Sequence, residues 1–186
     1  PGSLPLARTI DEEGWRCPPV PLDDAVEAAL LAASRTPWER RGDLAAQRGA
    51  NLLGAERLRE LVARHGAQRC VAAGDALLDR ADRAARAWIA RAAVAAGIAA
   101  GTERFVDVED VLDDARGDGV AIPIRMRVAC DGHTLRFDAS ASADQVEGPM
   151  NAVRAIVESA VMYALVCCIG DATVANSGLM RCVTIV

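Results

Sequence analysis

Between Leu22 and about Ala96 apolar residues recur at helical spacing, and after Gly101 the period falls to two. Val26, Ala29, Leu30 and Ala33 mark a first helix, opened by Asp24 and Glu27 as a capping pair and ending near Ser34. Thr36, Pro37 and Glu39 are a second start signal: a cap, a proline suited to the first helical position, and a carboxylate that reaches back to the cap N–H. That helix is predicted to reach about His65, with Gly66 as a left-handed stop and Leu52, Leu53, Leu58, Leu61 and Val62 as its apolar face. An alanine-rich third helix follows from about Ala67 to about Ala96, carrying Val71, Leu77, Leu78, Trp88 and Ile89.

Alternation then predicts strands. Residues 104–109 form one, and Ile122–Val128 forms a clearer one that places Arg125 and Arg127 on one face. Asp131-Gly132 is a hairpin signal, with His133–Asp138 returning as the partner strand. A helix from about Asn151 to about Ile169, a polar loop through Asn176-Ser-Gly178 and a terminal strand Cys182–Val186 complete the chain. The pattern predicts an α+β fold: long helices in the N-terminal half, then a small antiparallel sheet and one long helix. Three regions are expected. Residues 1–22, with five prolines, form an extended arm; 23–100 are helical; 101–186 are a mixed α/β region with an incomplete C-terminal sheet. A terminal strand with no room to turn back, and a start at Pro1-Gly2-Ser3, lead to the expectation that the chain is part of a larger protein.

Composition narrows the chemistry. The 186 residues carry a formal charge of -5, and every cation is Arg, so Schiff-base chemistry and the lysine of a phosphate-binding loop are excluded within the chain. Aromatic residues make up 3% and no basic block exists, so nucleic acid is not expected as a partner. Apolar stretches are interrupted by charges before they reach spanning length, so no membrane association is expected. Cys17, Cys70, Cys130, Cys167, Cys168 and Cys182 include no C-x-x-C pair and no histidine at zinc-ligand spacing, consistent with reduced thiols and a cytoplasmic setting. No metal site is expected in this chain.

The candidate substrate- or interface-lining residues are polar. Asp43, Gln47 and Asn51 lie i, i+4, i+8 on one helix stripe bracketed by Gly42 and Gly54, which reads either as a solvated face or as a polar seam in an interface or cleft. Asn151 follows Gly148-Pro149 where a helix N-terminus could favour an anion or a carbonyl oxygen; the plainer role is an N-cap. Asn176 and Arg181 belong to another cluster, suited to bidentate carboxylate binding or to a simple surface ion pair. His65 and His133 have structural readings, and the run Asp107, Glu109, Asp110, Asp113, Asp114 reads as a solvated edge. Catalytic residues are not identifiable from these patterns.

An ordered set of motifs covers nearly the whole chain: Pro1-Gly-Ser-Leu-Pro5, Thr36-Pro-Trp-Glu-Arg-Arg-Gly-Asp43, Gly74-Asp75, Gly101-Thr102 with Val111-Leu-Asp-Asp114, Gln145-Val-Glu-Gly-Pro-Met-Asn151, Tyr163-Ala-Leu165, and Asn176-Ser-Gly178 with Arg181. This set resembles the B component of the ATP-dependent hydantoinase, oxoprolinase and ketone carboxylase family. The resemblance implies a segment or subunit of an ATP-dependent cyclic-amide hydrolase that acts with an ATP-binding A component and the remaining B segments, in a hetero-oligomer. It also implies that ATP and a divalent metal bind elsewhere in the complex and that this chain alone is not catalytic. A ketone carboxylase component and a non-catalytic assembly subunit are the alternatives. Ala139, Ala141, Glu147 and Val157-Glu158 depart from the family's usual residues, which leaves room for a divergent substrate or a largely structural role.

Overall fold

The computed structural model describes residues 9, 12, 17–99, 101–113, 119–148, 150–171 and 175–186. Most of the expected N-terminal arm, and Asp114, Pro149 and 172–174, lie outside the described residues. The elements in chain order are α1 (Asp24–Ala32), α2 (Pro37–His65), α3 (Ala67–Ala95), β1 (Arg104–Leu112), β2 (Ile122–Cys130), β3 (Leu135–Asp138), α4 (Arg154–Ile169), a 3-10 helix (Ser177–Cys182) and β4 (Val183–Ile185). This is an α+β architecture. Backbone contacts divide it into two units, residues 1–70 with 147–149 and residues 71–146 with 150–186.

In the first unit the α1 cap is Asp23 rather than Asp24: its side chain accepts from the Val26 N–H at 2.9 Å, and Asp24 and Glu27 sit in the first turn beside the positive end of the helix dipole. Leu31 of α1 and Leu44 of α2 are buried, and Arg48 pairs with Glu27 at 3.0 Å. Pro37 opens α2 as expected, although Thr36 makes no side-chain cap bond. Gly66 closes α2 with φ 82° and ψ 146°, a positive φ outside the left-handed helical basin, which redirects the chain straight into α3. The leucines expected to form one apolar face of α2 stay exposed, because their positions are scattered around the helix rather than aligned.

The second unit holds the main core. Ala81, Ala85, Ile89 and Ala93 repeat every fourth residue of α3 and are all buried. Three of them, Ala81, Ala85 and Ile89, pack with Val161 and Leu165 of α4, Leu135 of β3, and Leu179 and Cys182 of the 3-10 helix. Burial raises the Cys182 thiol above its ordinary pKa, consistent with a reduced core residue. The sheet order is β1-β2-β3-β4. The first three strands are antiparallel, whereas β4 lies parallel to β3, with Leu135 opposite Val183 and Phe137 opposite Ile185. A parallel pair requires a crossover, and α4 supplies it.

The β2–β3 connection is longer than a two-residue hairpin. Asp131 organises it: one carboxylate oxygen accepts from the His133 N–H at 2.8 Å and the Thr134 N–H at 2.6 Å, the other accepts from the Thr134 hydroxyl at 2.9 Å, and Gly132 takes φ 90°. These bonds hold the Asp131 carboxyl below the usual carboxylate range.

Candidate functional site: the charged face of the sheet

Alternation along β1 and β2 sends Phe105, Asp107 and Glu109, and opposite them Ala129, Arg127 and Arg125, to the same face of the sheet. Asp107 and Arg127 are direct cross-strand partners joined by a forked pair, Nε to Oδ1 at 2.7 Å and Nη2 to Oδ2 at 2.8 Å. Glu109 and Arg125 repeat the arrangement with Nε to Oε2 at 2.8 Å. Arg127 also stands 4.2 Å from the centroid of the Phe105 ring. On the far side of β2, Asp138 is the register partner of Arg127, so charge alternates across three strands as Asp138, Arg127, Asp107.

Beyond β3 the chain keeps to this face. Asp138 accepts from both the backbone N–H (3.0 Å) and the hydroxyl (2.6 Å) of Ser140. Ser142 then substitutes for a missing strand residue: its hydroxyl accepts from the Arg125 N–H at 3.0 Å and donates to the Arg125 carbonyl at 2.9 Å. Asn151 does the same at the next step, its amide accepting from the Val146 N–H at 2.9 Å and donating to the Val146 carbonyl at 2.6 Å. Two side chains thus satisfy backbone groups that no strand reaches.

The strands and this loop enclose an open groove of about 480 Å³, lined by Asp107, Val108, Glu109, Arg125, Met126, Arg127, Asp138, Ser140 and Ala141. The arginine partners hold Asp107 and Glu109 below the usual carboxylate range, and the Ser140 hydrogen bonds do the same for Asp138. All three are ionised at neutral pH, and their lowered proton affinity makes them weak general bases. An anionic ligand would have to displace a carboxylate from its arginine. The face is therefore suited to ordering polypeptide through paired charge, and less to proton transfer.

The residues singled out from sequence lie in separate places. Asp43, Gln47 and Asn51 line an exposed part of α2, Asp43 paired with Arg40 at 2.6 Å; a side chain added at Gly42 or Gly54 would meet open space among the described residues. Asn151 precedes α4 and clasps Val146, whereas the α4 N-cap is Val153. Asn176 and Arg181 stand at the two ends of the 3-10 helix, where each holds α3. Asn176 accepts from the Gly178 N–H at 2.9 Å and donates to the Leu77 carbonyl at 3.4 Å, while Arg181 donates to Asp79 at 2.6 Å. Between them Gly178 lies against the α3 backbone, where a Cβ would clash with the Leu78 carbonyl. Asp107, Glu109, Asp138, Ser140 and Ser142 were not legible as a group. The available signal was the acidic alternation at 107 and 109, equal in period and opposite in sign to Arg125 and Arg127.

Over residues 1–186 the sequence matches the hydantoinase B/oxoprolinase family. The chain belongs to that family. The fold of this hydantoinase B/oxoprolinase chain is also similar to the crystal structure of the ATP-dependent caprolactamase from Pseudomonas jessenii, at 29% sequence identity and a TM-score of 0.75. The likeness covers 97% of this chain and 30% of the caprolactamase chain, so the protein spans under a third of the solved chain it resembles. Among the described residues no three His, Cys, Asp or Glu side chains converge as a metal site, and no helix is long and apolar enough to cross a membrane.

Proposed function

We propose that this family member forms a segment of the B-type component of an ATP-dependent cyclic-amide hydrolase and acts together with an ATP-binding A-type component. The observation that carries the reading is the near-complete likeness of this chain to one part of an ATP-dependent caprolactamase. In this reading the chain contributes framework and contact surface, and ATP and a divalent metal are held elsewhere in the cytoplasmic assembly. The chemistry of the charged face agrees with such a role, since its carboxylates and guanidiniums neutralise one another. On Asp43, Gln47 and Asn51 the proposal is that their stripe meets another part of the assembly, which would give a purpose to polar and apolar groups that α2 leaves exposed.

The test is reconstitution of the A-type component, the remaining B segments and this chain, with a lactam or a hydantoin offered as substrate. Ring opening coupled to ATP hydrolysis, lost when this chain is left out, is the expected result. Bicarbonate incorporation into a ketone would instead assign the chain to a carboxylase. Turnover that is indifferent to the chain would remove the proposal.

A further inference from the structure

β1 and β4 are the two edges of the sheet, and they are unlike. β4 has three residues, and its Ile185 carbonyl accepts from Arg154 of α4 at 3.3 Å. β1 has nine residues, all exposed except the half-buried Leu112. On one face of this long edge Val106 and Val108 are exposed beside Ile124 of β2. On the other, the alternation Asp138, Arg127, Asp107 and the pair Arg125, Glu109 both end on a carboxylate at β1. A further strand would continue the pattern with a cation opposite Asp107 and Glu109 and an apolar side chain opposite Val106 and Val108, since directly opposed residues are the unit of sheet stabilisation. A second copy of β1 does not meet that demand. Antiparallel pairing centred on Asp107, Val108 or Glu109 sets carboxylate against carboxylate.

We propose that the outer edge of β1 is completed by a strand from the remainder of the B-type component, carrying Arg or Lys opposite Asp107 and Glu109 and apolar residues opposite Val106 and Val108. The proposal rests on the B-component reading above. Its source is argued from length: the matched caprolactamase chain has 70% of its residues beyond the region of likeness, ample polypeptide to provide a strand, and an exposed nine-residue edge left uncovered invites non-specific pairing.

Amide hydrogen exchange on residues 104–112 tests it, comparing this chain alone with this chain bound to the remaining B segments. The expected result is slowing of the β1 amides on the order of 100-fold or more in the complex, together with weaker assembly of a Val108→Asp variant whose circular dichroism is unchanged. If that variant fails to fold, the exchange comparison on the unaltered chain decides alone. Association with β1 exchanging as fast as in the free chain overturns the strand proposal and leaves the functional reading standing. Failure to associate overturns both. Protection that arises from self-association, or from the A-type component without the B segments, assigns the edge to another occupant and overturns the proposal.

Discussion

α2 and α3 are each 29 residues long, yet they are used in opposite ways. In α3 the buried residues Ala81, Ala85, Ile89 and Ala93 fall on one line, and Ile89 is 0% exposed. In α2 only Leu44 is buried, whereas Leu52 is 72% and Leu61 47% exposed. The physical difference is angular. At roughly 100° per residue, Leu52 and Leu53 diverge by about 100°, and Leu52 and Leu61 lie on opposite sides of the helix. One packing surface can bury a stripe but cannot bury a ring. Apolar content alone therefore does not place a helix in a core; its phase does.

The largest effect that sharpens this contrast is expected from Ile89→Ala. Truncation removes buried methylenes and leaves a cavity in the α3–α4–sheet core, at a cost of about 2–5 kcal/mol. Chemical denaturation measures it, and a loss under 1 kcal/mol would show that the α3 stripe is not the centre of the core. Next comes Gly178→Ala, where an added methyl meets the Leu78 carbonyl carbon at 2.8 Å and Asn176 Oδ1 at 2.9 Å. The α3 backbone at Leu78 and the Asn176 side chain, or the 3-10 helix itself, must shift, so a loss of about 1–3 kcal/mol is expected. Wild-type stability in this variant would mean that the 3-10 helix is loosely held on α3.

A smaller effect concerns acid stability. Asp131 has its pKa lowered chiefly by hydrogen bonds from the His133 and Thr134 N–H groups. A lowered folded-state value stabilises the fold fully above the unfolded pKa of about 3.9, and this contribution is lost as pH falls through the folded value. Asp131→Asn is expected to be less stable than the parent at pH 7 and to converge with it as pH falls through the lowered folded-state value, as measured by unfolding across the acid range. Equal spacing between the two stability curves at every pH would reject the carboxylate as the cause. The smallest effect is assigned to α2: Leu52→Ala in this chain should change stability by no more than about 0.5 kcal/mol. A loss near that of Ile89→Ala would erase the contrast between the helices.

Local chemistry made much of the fold readable. Pro37 and Gly66 bracket α2, period-two alternation marks β1 and β2, and Asp131-Gly132 marks the turn, because each of these signals acts within a few residues. The family motifs were readable as well, since they depend on residue order alone. Sequence patterns mislead where a side chain's actual partner, or the surface available to bury it, lies outside the pattern itself. The position of Asn151 after Gly148-Pro149 suits either a ligand-facing group or a helix cap; the α4 cap is Val153, and the Asn151 amide pairs with Val146. The scattered leucines of α2 were read as a face without regard to whether one surface could reach them all.

The sequence by itself determined the helices, the alternating strands and the family, because backbone propensity, side-chain periodicity and motif order are local properties of the chain. Only the tertiary structure decided that Arg127 faces Asp107 and Arg125 faces Glu109, that β4 joins β3 in parallel, and that Asn176 and Arg181 hold α3. Those pairings depend on strand register and on how the crossover through α4 closes. Both are set by which apolar stripes can be buried together, a condition that no segment meets alone.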